Sequence, residues 1–245
     1  MKFLIKFAYD GTDFSGFQYQ PGKRTIEEEL NKVLTKINNN HKTTIVATGR
    51  TDAKVHALSQ YAHVNLDVNI TEYKLKRAMN SYLDDDIHVL EVKKVDDSFH
   101  ARYNVLSKTY KYYINLGEYN PTRRNYELQY NHTLNIEKMK EAIKVFLGEH
   151  DYRAFVTQNK EKDNCIRTIT KAEIEEKNNI LIITFTGNGF LRYQVRNMVG
   201  ILIRIGENKL TKEQLSEILL SCDRTKSGKT APACGLYLEK VDFRY

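Results

Sequence analysis

The sequence predicts an α+β protein built of two halves that run in comparable order. Strand-like alternation and helix-like periodicity follow one another along the whole chain. Polar capping residues mark several helix starts, and no Pro/Gly-rich linker or low-complexity stretch interrupts the pattern. At 245 residues, with 41% apolar residues and 3 Pro, the chain is long enough to bury a sizeable core.

The first half is placed at residues 1–104. Residues 2–9 read as a strand. Thr25-Ile26-Glu27-Glu28 has the form of a capping box, opening a helix with Ile26, Leu30, Val33, Leu34 and Ile37 on one face. Asn38-Asn39-Asn40 ends it. Strands are expected at 43–47 and 60–66, then a helix capped by Thr71 that carries Leu75, Met79 and Leu83, then a strand at 87–95.

The second half, 105–245, opens with a strand at 107–115. A basic, tyrosine-rich loop at 121–130 leads to a helix capped by Asn135, with Ile136, Met139, Ile143, Phe146 and Leu147 as its buried stripe. A hairpin of 169–175 and 180–186, helices at 192–205 and 212–221, and a strand at 236–243 complete it. No residue-level repeat relates the halves. Two such halves sharing a sheet would leave a cleft at their junction, a common place for a site.

Composition narrows the function. The formal net charge of +7 favours a polyanionic partner. Cations interleave with tyrosines in Lys108-Thr109-Tyr110-Lys111-Tyr112-Tyr113 and Arg192-Tyr193-Gln194-Val195-Arg196, the combination that phosphates and unpaired bases require. The competing reading is that most of the 16 tyrosines stabilise strands and half-buried surfaces. Lys6 and Asp10 cut the opening apolar run too short for a secretory segment, and no run approaches a membrane span. Cys165, Cys222 and Cys234 form neither a CxxC pair nor a Cys/His cluster, so no disulfide framework or metal site is indicated. A reducing cytoplasm is the expected location.

The most informative residue is Asp52, in the turn Gly49-Arg50-Thr51-Asp52-Ala53-Lys54-Val55-His56-Ala57. Flanking Arg50, Lys54 and His56 favour its ionised form, which suits a nucleophile or base. Standing alone, the turn would read as a salt-bridged strand end. A second candidate stretch, Gly187-Asn188-Gly189-Phe190-Leu191, precedes a helix on which Arg192, Arg196 and Arg204 are spaced to share a face. Arginine on an apolar helix is costly unless paired, so a carboxylate partner is expected. The glycines match no nucleotide-binding loop. A third stretch, 223–238, is a basic loop leading into the final strand.

Together these segments resemble the TruA family of tRNA pseudouridine synthases. The resemblance rests on Tyr9-Asp10-Gly11-Thr12-Asp13-Phe14-Ser15-Gly16-Phe17-Gln18, Gly49-Arg50-Thr51-Asp52 with Val55-His56-Ala57, Phe99-His100-Ala101-Arg102 and Lys108-Thr109-Tyr110. It continues through Gly148-Glu149-His150-Asp151-Tyr152, Gly189-Phe190-Leu191 with Val195-Arg196-Asn197, and the 230–238 ending. It implies two RRM-like halves forming one continuous mixed, mainly antiparallel sheet flanked by helices around a basic cleft. It also implies a homodimer, no metal or organic cofactor, and isomerisation of uridines at positions 38, 39 and 40 in the tRNA anticodon stem-loop.

Under that resemblance Asp52 attacks the base or sugar of a flipped uridine, and attack at C6 and a glycal route both remain open. Tyr110 stacks on the uracil and helps remove the C5 proton. Arg196 pairs with Asp52. Arg50 contacts phosphate or fills the space of the flipped base, and His56, Lys54, Arg102, Lys108 and Leu238 complete the substrate contacts. Two departures bear on specificity: Lys54 stands where most relatives have glycine, and Leu191-Arg192-Tyr193-Gln194 differs from the commoner aromatic pattern. Another tRNA position or ribosomal RNA is therefore the alternative target. A non-catalytic RNA-binding module would not need Asp52, Tyr110 and Arg196 together. A metal-dependent nuclease lacks a second carboxylate cluster beside Asp10, Asp13 and Asp52.

Overall fold

The computed structural model describes residues 1–156 and 164–244. In chain order the elements are β1 (Lys2–Tyr9), α1 (Ile26–Ile37), β2 (Val46–Ala47), β3 (His56–Asn65), α2 (Glu72–Tyr82), β4 (Ile87–Lys94), β5 (Val105–Asn115) and β6 (Leu128–Gln129). They continue with α3 (Ile136–Ala142), β7 (Gly148–Asp151), β8 (Ile166–Lys177), β9 (Ile180–Gly187), α4 (Gln194–Gly206), α5 (Lys212–Ser221) and β10 (Leu236–Phe243). Two compact units result: residues 1–106 with the closing stretch from Tyr237, and residues 107–236.

In the first unit β1 lies between β4 and β3, antiparallel to both, and β10 runs parallel to β3. Alternation along β1 buries Phe3, Ile5 and Phe7, while α1 buries Ile26, Leu30, Val33 and Leu34 and α2 buries Leu75 and Met79. Asn38 ends α1 as expected, and its side-chain oxygen accepts the N–H groups of Asp67 (2.8 Å) and Val68 (3.3 Å).

Two local expectations are overturned. The capping box at Thr25 does not form: the Thr25 hydroxyl is buried without a partner. Backbone carbonyls replace it, because the Ile26 and Glu27 N–H groups donate to Gly16 and Phe17 of the preceding loop. The strand expected at 43–47 shrinks to β2. Here the backbone N–H groups of Thr43 and Ile45 donate to the side chains of Thr35 and Asn31 on α1 and so are not available to a sheet ladder.

The second unit has the strand order β5-β9-β8-β7, antiparallel at each step, with β6 parallel to β5. The helix expected through Leu147 ends at Ala142 and continues as a 3₁₀ turn over Ile143–Phe146. In α4, Val195, Met198, Val199, Ile201 and Leu202 are all buried. Gly200 lets this helix touch the chain beside it, since a Cβ there would lie 2.1 Å from the Lys229 carbonyl oxygen. Arg192 is not on this helix. Tyr193, in the left-handed region at φ 63°, caps it, so only Arg196 and Arg204 of the three expected arginines are helical.

One buried histidine makes the first unit acid-sensitive. His63 on β3 accepts the Ala101 N–H at Nδ1 (3.0 Å), and its ring meets that of His100 edge to face. Burial first, then the nearby charges of His100 and Lys2, lowers its pKa to about 4. Between that value and the ordinary 6.5, the unfolded chain binds a proton that the folded chain rejects. Stability is therefore full above about pH 6.5 and falls on acidification toward 4, by on the order of 1–2 kcal/mol from this group. Urea unfolding at pH 7.5 and pH 5 checks this: His63→Gln is expected to flatten part of the difference.

Candidate active site

The Asp52 turn joins β2 to β3 and rests on the loop that follows β1. Two glycines of that loop permit the contact. A Cβ on Gly11 would lie 2.1 Å from the Val55 carbonyl oxygen, and one on Gly16 would lie 3.2 Å from both the Ala53 nitrogen and the Thr51 oxygen. Gly16 also has φ 106°, a conformation open chiefly to glycine. Hydrogen bonds then fasten the two segments: Phe17 N–H donates to Thr51 O (3.1 Å) and Lys54 N–H to Phe14 O (3.4 Å). The Val55 N–H closes the turn onto the Asp52 carbonyl at 3.2 Å.

Side chains complete the support. The Tyr9 and Thr51 hydroxyls are 2.7 Å apart, and burial holds the Tyr9 phenol well above its ordinary pKa, so it stays neutral. The Gln60 amide donates to the Gly49 carbonyl (3.1 Å). His56 is buried, accepts the Gly11 N–H at Nδ1 (3.1 Å), has Asp10 Oδ1 at 3.1 Å from that nitrogen, and stacks on Tyr237 with centroids 4.6 Å apart. Asp52 itself is half-buried, whereas Arg50 and Lys54 are exposed. Lys54 adopts φ 64°. The turn thus holds a left-handed conformation, one that glycine takes most readily.

The first unit therefore gathers Arg50, Asp52, Lys54 and His56 on one turn. Leu238 is held beside it by the pairing of β10 with β3, opposite Ala57, and its side chain is only 1% exposed. Arg102 is exposed in a separate turn, its N–H donating to His100 Nδ1 at 3.2 Å.

In the second unit Tyr110 lies on β5, 8% exposed, with the Phe190 ring edge-to-face at 5.1 Å. Lys108, two residues earlier on the same strand, is half-buried. Tyr112 belongs to the core instead, with its hydroxyl donating to the Pro232 carbonyl at 2.8 Å. Arg196, in the first turn of α4, donates through Nε to the Ala231 carbonyl (2.8 Å), and its guanidinium carbon lies 5.2 Å from the Tyr193 ring centroid. The Ala231 N–H returns a bond to the Arg196 carbonyl at 3.1 Å.

Several supporting contacts are visible only in the fold. Asn197 is 1% exposed; its amide donates to the Phe155 carbonyl while its oxygen accepts from Thr230 (2.6 Å) and Arg224 (3.0 Å). This network ties the basic loop to α4 directly behind Arg196. Tyr9, Gly11 and Gly16 stood in a recognised segment, but only the fold shows them under the Asp52 turn. Among the described residues no group of three His, Cys, Asp or Glu side chains is placed to hold a metal ion, and no helix is long and apolar enough to cross a membrane.

Comparison with known proteins defines the class. Residues 5–104 and 142–244 match the family model described as tRNA pseudouridine synthase. The chain belongs to that family, which makes it an isomerase with the α+β pseudouridine synthase fold. Among its relatives is the "tRNA pseudouridine synthase A" of Limosilactobacillus reuteri, 43% identical over 248 residues, or 99% of this chain and 96% of the relative. The protein of the same description from Streptococcus pyogenes is 43% identical over 244 residues, 98% of each chain. A solved structure, "Crystal Structure of a Cbf5-Nop10-Gar1 Complex", contains a chain matched at TM-score 0.33 and 15% identity. That match covers 82% of this chain and 54% of the other, and at this score it carries no argument.

Proposed function

We propose that this enzyme isomerises uridine to pseudouridine in the tRNA anticodon stem-loop, at positions 38, 39 and 40, with Asp52 as the nucleophile. The observation that carries the reading is the construction of the Asp52 turn. Two loops are packed backbone against backbone so that one half-buried carboxylate is presented from a rigid support. The net charge of +7 and the exposed Arg50 and Lys54 beside that carboxylate suit an RNA substrate.

In this reading the target uridine leaves its stack to reach the carboxylate. Asp52 adds to C6 of the base or, on the glycal route, takes the C2′ proton of the sugar. The C1′–N1 bond breaks, the uracil turns, and a C1′–C5 bond forms. The proton on C5 is then removed and N1 is protonated, while the bond from Asp52 to C6 breaks or, on the glycal route, the proton returns to C2′, so the carboxylate is regenerated and atoms balance without a cofactor. Tyr110 stacks on the uracil and assists proton removal, and Arg196 is the cationic partner that keeps Asp52 ionised. Arg50, Lys54, Arg102 and Lys108 are proposed substrate-contacting residues, whereas His56 and Leu238, expected to join them, are buried and support the turn from behind. The enzyme works as a cytoplasmic homodimer, the unit of residues 1–106 and 237–245 carrying the aspartate and the unit of residues 107–236 the tyrosine and arginine; the expected halves, 1–104 and 105–245, differ because the last strand pairs with β3.

Tyr110→Phe separates the two tasks of that ring. The aromatic face survives and the hydroxyl does not, so tRNA affinity should hold within about twofold while turnover falls about 10- to 100-fold. Single-turnover kinetics with a filter-binding titration measure both, and unchanged turnover removes the proton-transfer role. Salt provides an independent check on the substrate. Affinity for an unmodified tRNA transcript should fall about tenfold or more between about 50 and 200 mM salt, and a flat response contradicts a phosphate-tracking surface. Mapping pseudouridine in total RNA with and without the protein tests the assignment of target: sites confined to ribosomal RNA or another tRNA arm would overturn it.

A further inference from the structure

The loop between β1 and α1, on which the Asp52 turn rests, has almost no regular structure of its own; one isolated bridge, Gln20 to Lys23, is its only sheet-like pairing. Its two ends meet on a single residue outside it. At one end the Asp10 N–H donates to the Asp86 carbonyl at 3.0 Å. At the other, the Arg24 guanidinium grips the Asp86 carboxylate in bidentate fashion, at 2.5 and 3.0 Å, and reaches Asp84 at 2.9 Å. Arg24 therefore closes the neck of the loop.

The same guanidinium also bears on the loop's interior. Its carbon lies 4.2 Å from the centroid of the Phe14 ring, and the Phe14 side chain is buried. Phe14 is the residue whose carbonyl accepts the Lys54 N–H, two positions beyond Asp52. The Arg24 carbonyl accepts the Ser15 N–H at 3.0 Å, next to Gly16, whose α-carbon faces the backbone of residues 51–53. A short path of contacts thus runs from Arg24 through Phe14 to the catalytic turn.

We propose that Arg24 is a positioning residue for the Asp52 turn, setting its reactive geometry by fastening the supporting loop to Asp86. The inference rests on the reading of Asp52 as nucleophile. Arg24 touches no reacting atom. A partly exposed ion pair adds little to global stability, so the consequence of losing it is local. Displacement of a nucleophile by a fraction of an ångström slows chemistry far more than it weakens binding. Lysine is a poor replacement, because an ammonium cannot make the two-pronged contact with the carboxylate and stack flat on the ring.

The test uses full-length Arg24→Met, Arg24→Lys and Asp86→Asn variants, unmodified tRNA transcript, and Asp52→Asn as reference. Arg24→Met is expected to slow single-turnover pseudouridine formation about 10- to 100-fold, with tRNA affinity within about threefold and a cooperative melt retained. Arg24→Lys should recover part of the rate, and the Arg24→Met/Asp86→Asn double variant should be no slower than the slower single one. A rate within twofold of wild type in Arg24→Met, beside an inactive Asp52→Asn, overturns the positioning role. Equal losses of rate and affinity in an Arg24→Met variant that still melts cooperatively also overturn it. If Arg24→Met does not fold, Arg24→Lys decides: it is expected to be several-fold slower, and an unchanged rate rejects the proposal. An active Asp52→Asn enzyme instead defeats the underlying reading, whatever the Arg24 variants do.

Discussion

Asp52→Asn is expected to abolish pseudouridine formation, lowering the rate by about 10⁴-fold or more, while tRNA affinity stays within a few-fold. The amide keeps the shape of the carboxylate and removes its charge and nucleophilicity. It leaves untouched the backbone contacts that hold the turn, because those run through the Thr51 and Asp52 carbonyls and the Lys54 and Val55 N–H groups. Binding should survive for the same reason: the cations proposed to meet RNA lie on other side chains. A quantitative assay of pseudouridine in a single transcript, paired with a binding titration, gives both numbers. Full activity in the variant would exclude Asp52 as nucleophile.

Gly11→Ala is expected to have the next largest effect, although it adds only one methyl group. That carbon would sit 2.1 Å from the Val55 carbonyl oxygen, closer than nonbonded atoms approach, and the obstacle is backbone rather than the movable end of a side chain. Either the loop or the Asp52 turn must shift. Overpacking of this kind costs about 1–3 kcal/mol of stability. A shift of about 1 Å at the nucleophile costs about 100-fold in rate. Thermal melting and single-turnover assays on the same preparation should therefore show a modest loss of stability beside a disproportionate loss of turnover. By contrast, Gly22→Ala meets nothing within 4 Å of the added carbon and strains only its own φ of 70°, so it serves as a control for backbone strain without collision.

How far the sequence foretold this arrangement depended on the range of the interactions involved. The Asn38 helix stop, the Thr71 and Asn135 caps and most of the buried faces of α1 and α2 followed from local rules, although Ile37 and Leu83, at the helix ends, are only half-buried. The Thr25 cap failed where backbone carbonyls of the loop leading into the helix, ten residues back, supplied the bonds instead. Tyr193 was equally unforeseen: nothing in local pattern signals that a tyrosine will take a left-handed conformation and push Arg192 off the start of α4. For the site, the charge pattern around Asp52 was visible in the chain. The reason for Gly11 and Gly16 was not, since it lies in the backbone of residues 51–55. Arg24 gave no signal either, because Asp86 lies 62 positions away and the pair appears only once α1 and β4 are in place.

The most direct test is site-resolved mapping of pseudouridine in unmodified tRNA transcripts incubated with the purified protein alone, without added metal or cofactor. Pseudouridine should accumulate at anticodon-arm uridines with the wild-type protein and at none with Asp52→Asn. The same yield from both proteins, or no pseudouridine from either, would contradict covalent catalysis by this aspartate in tRNA.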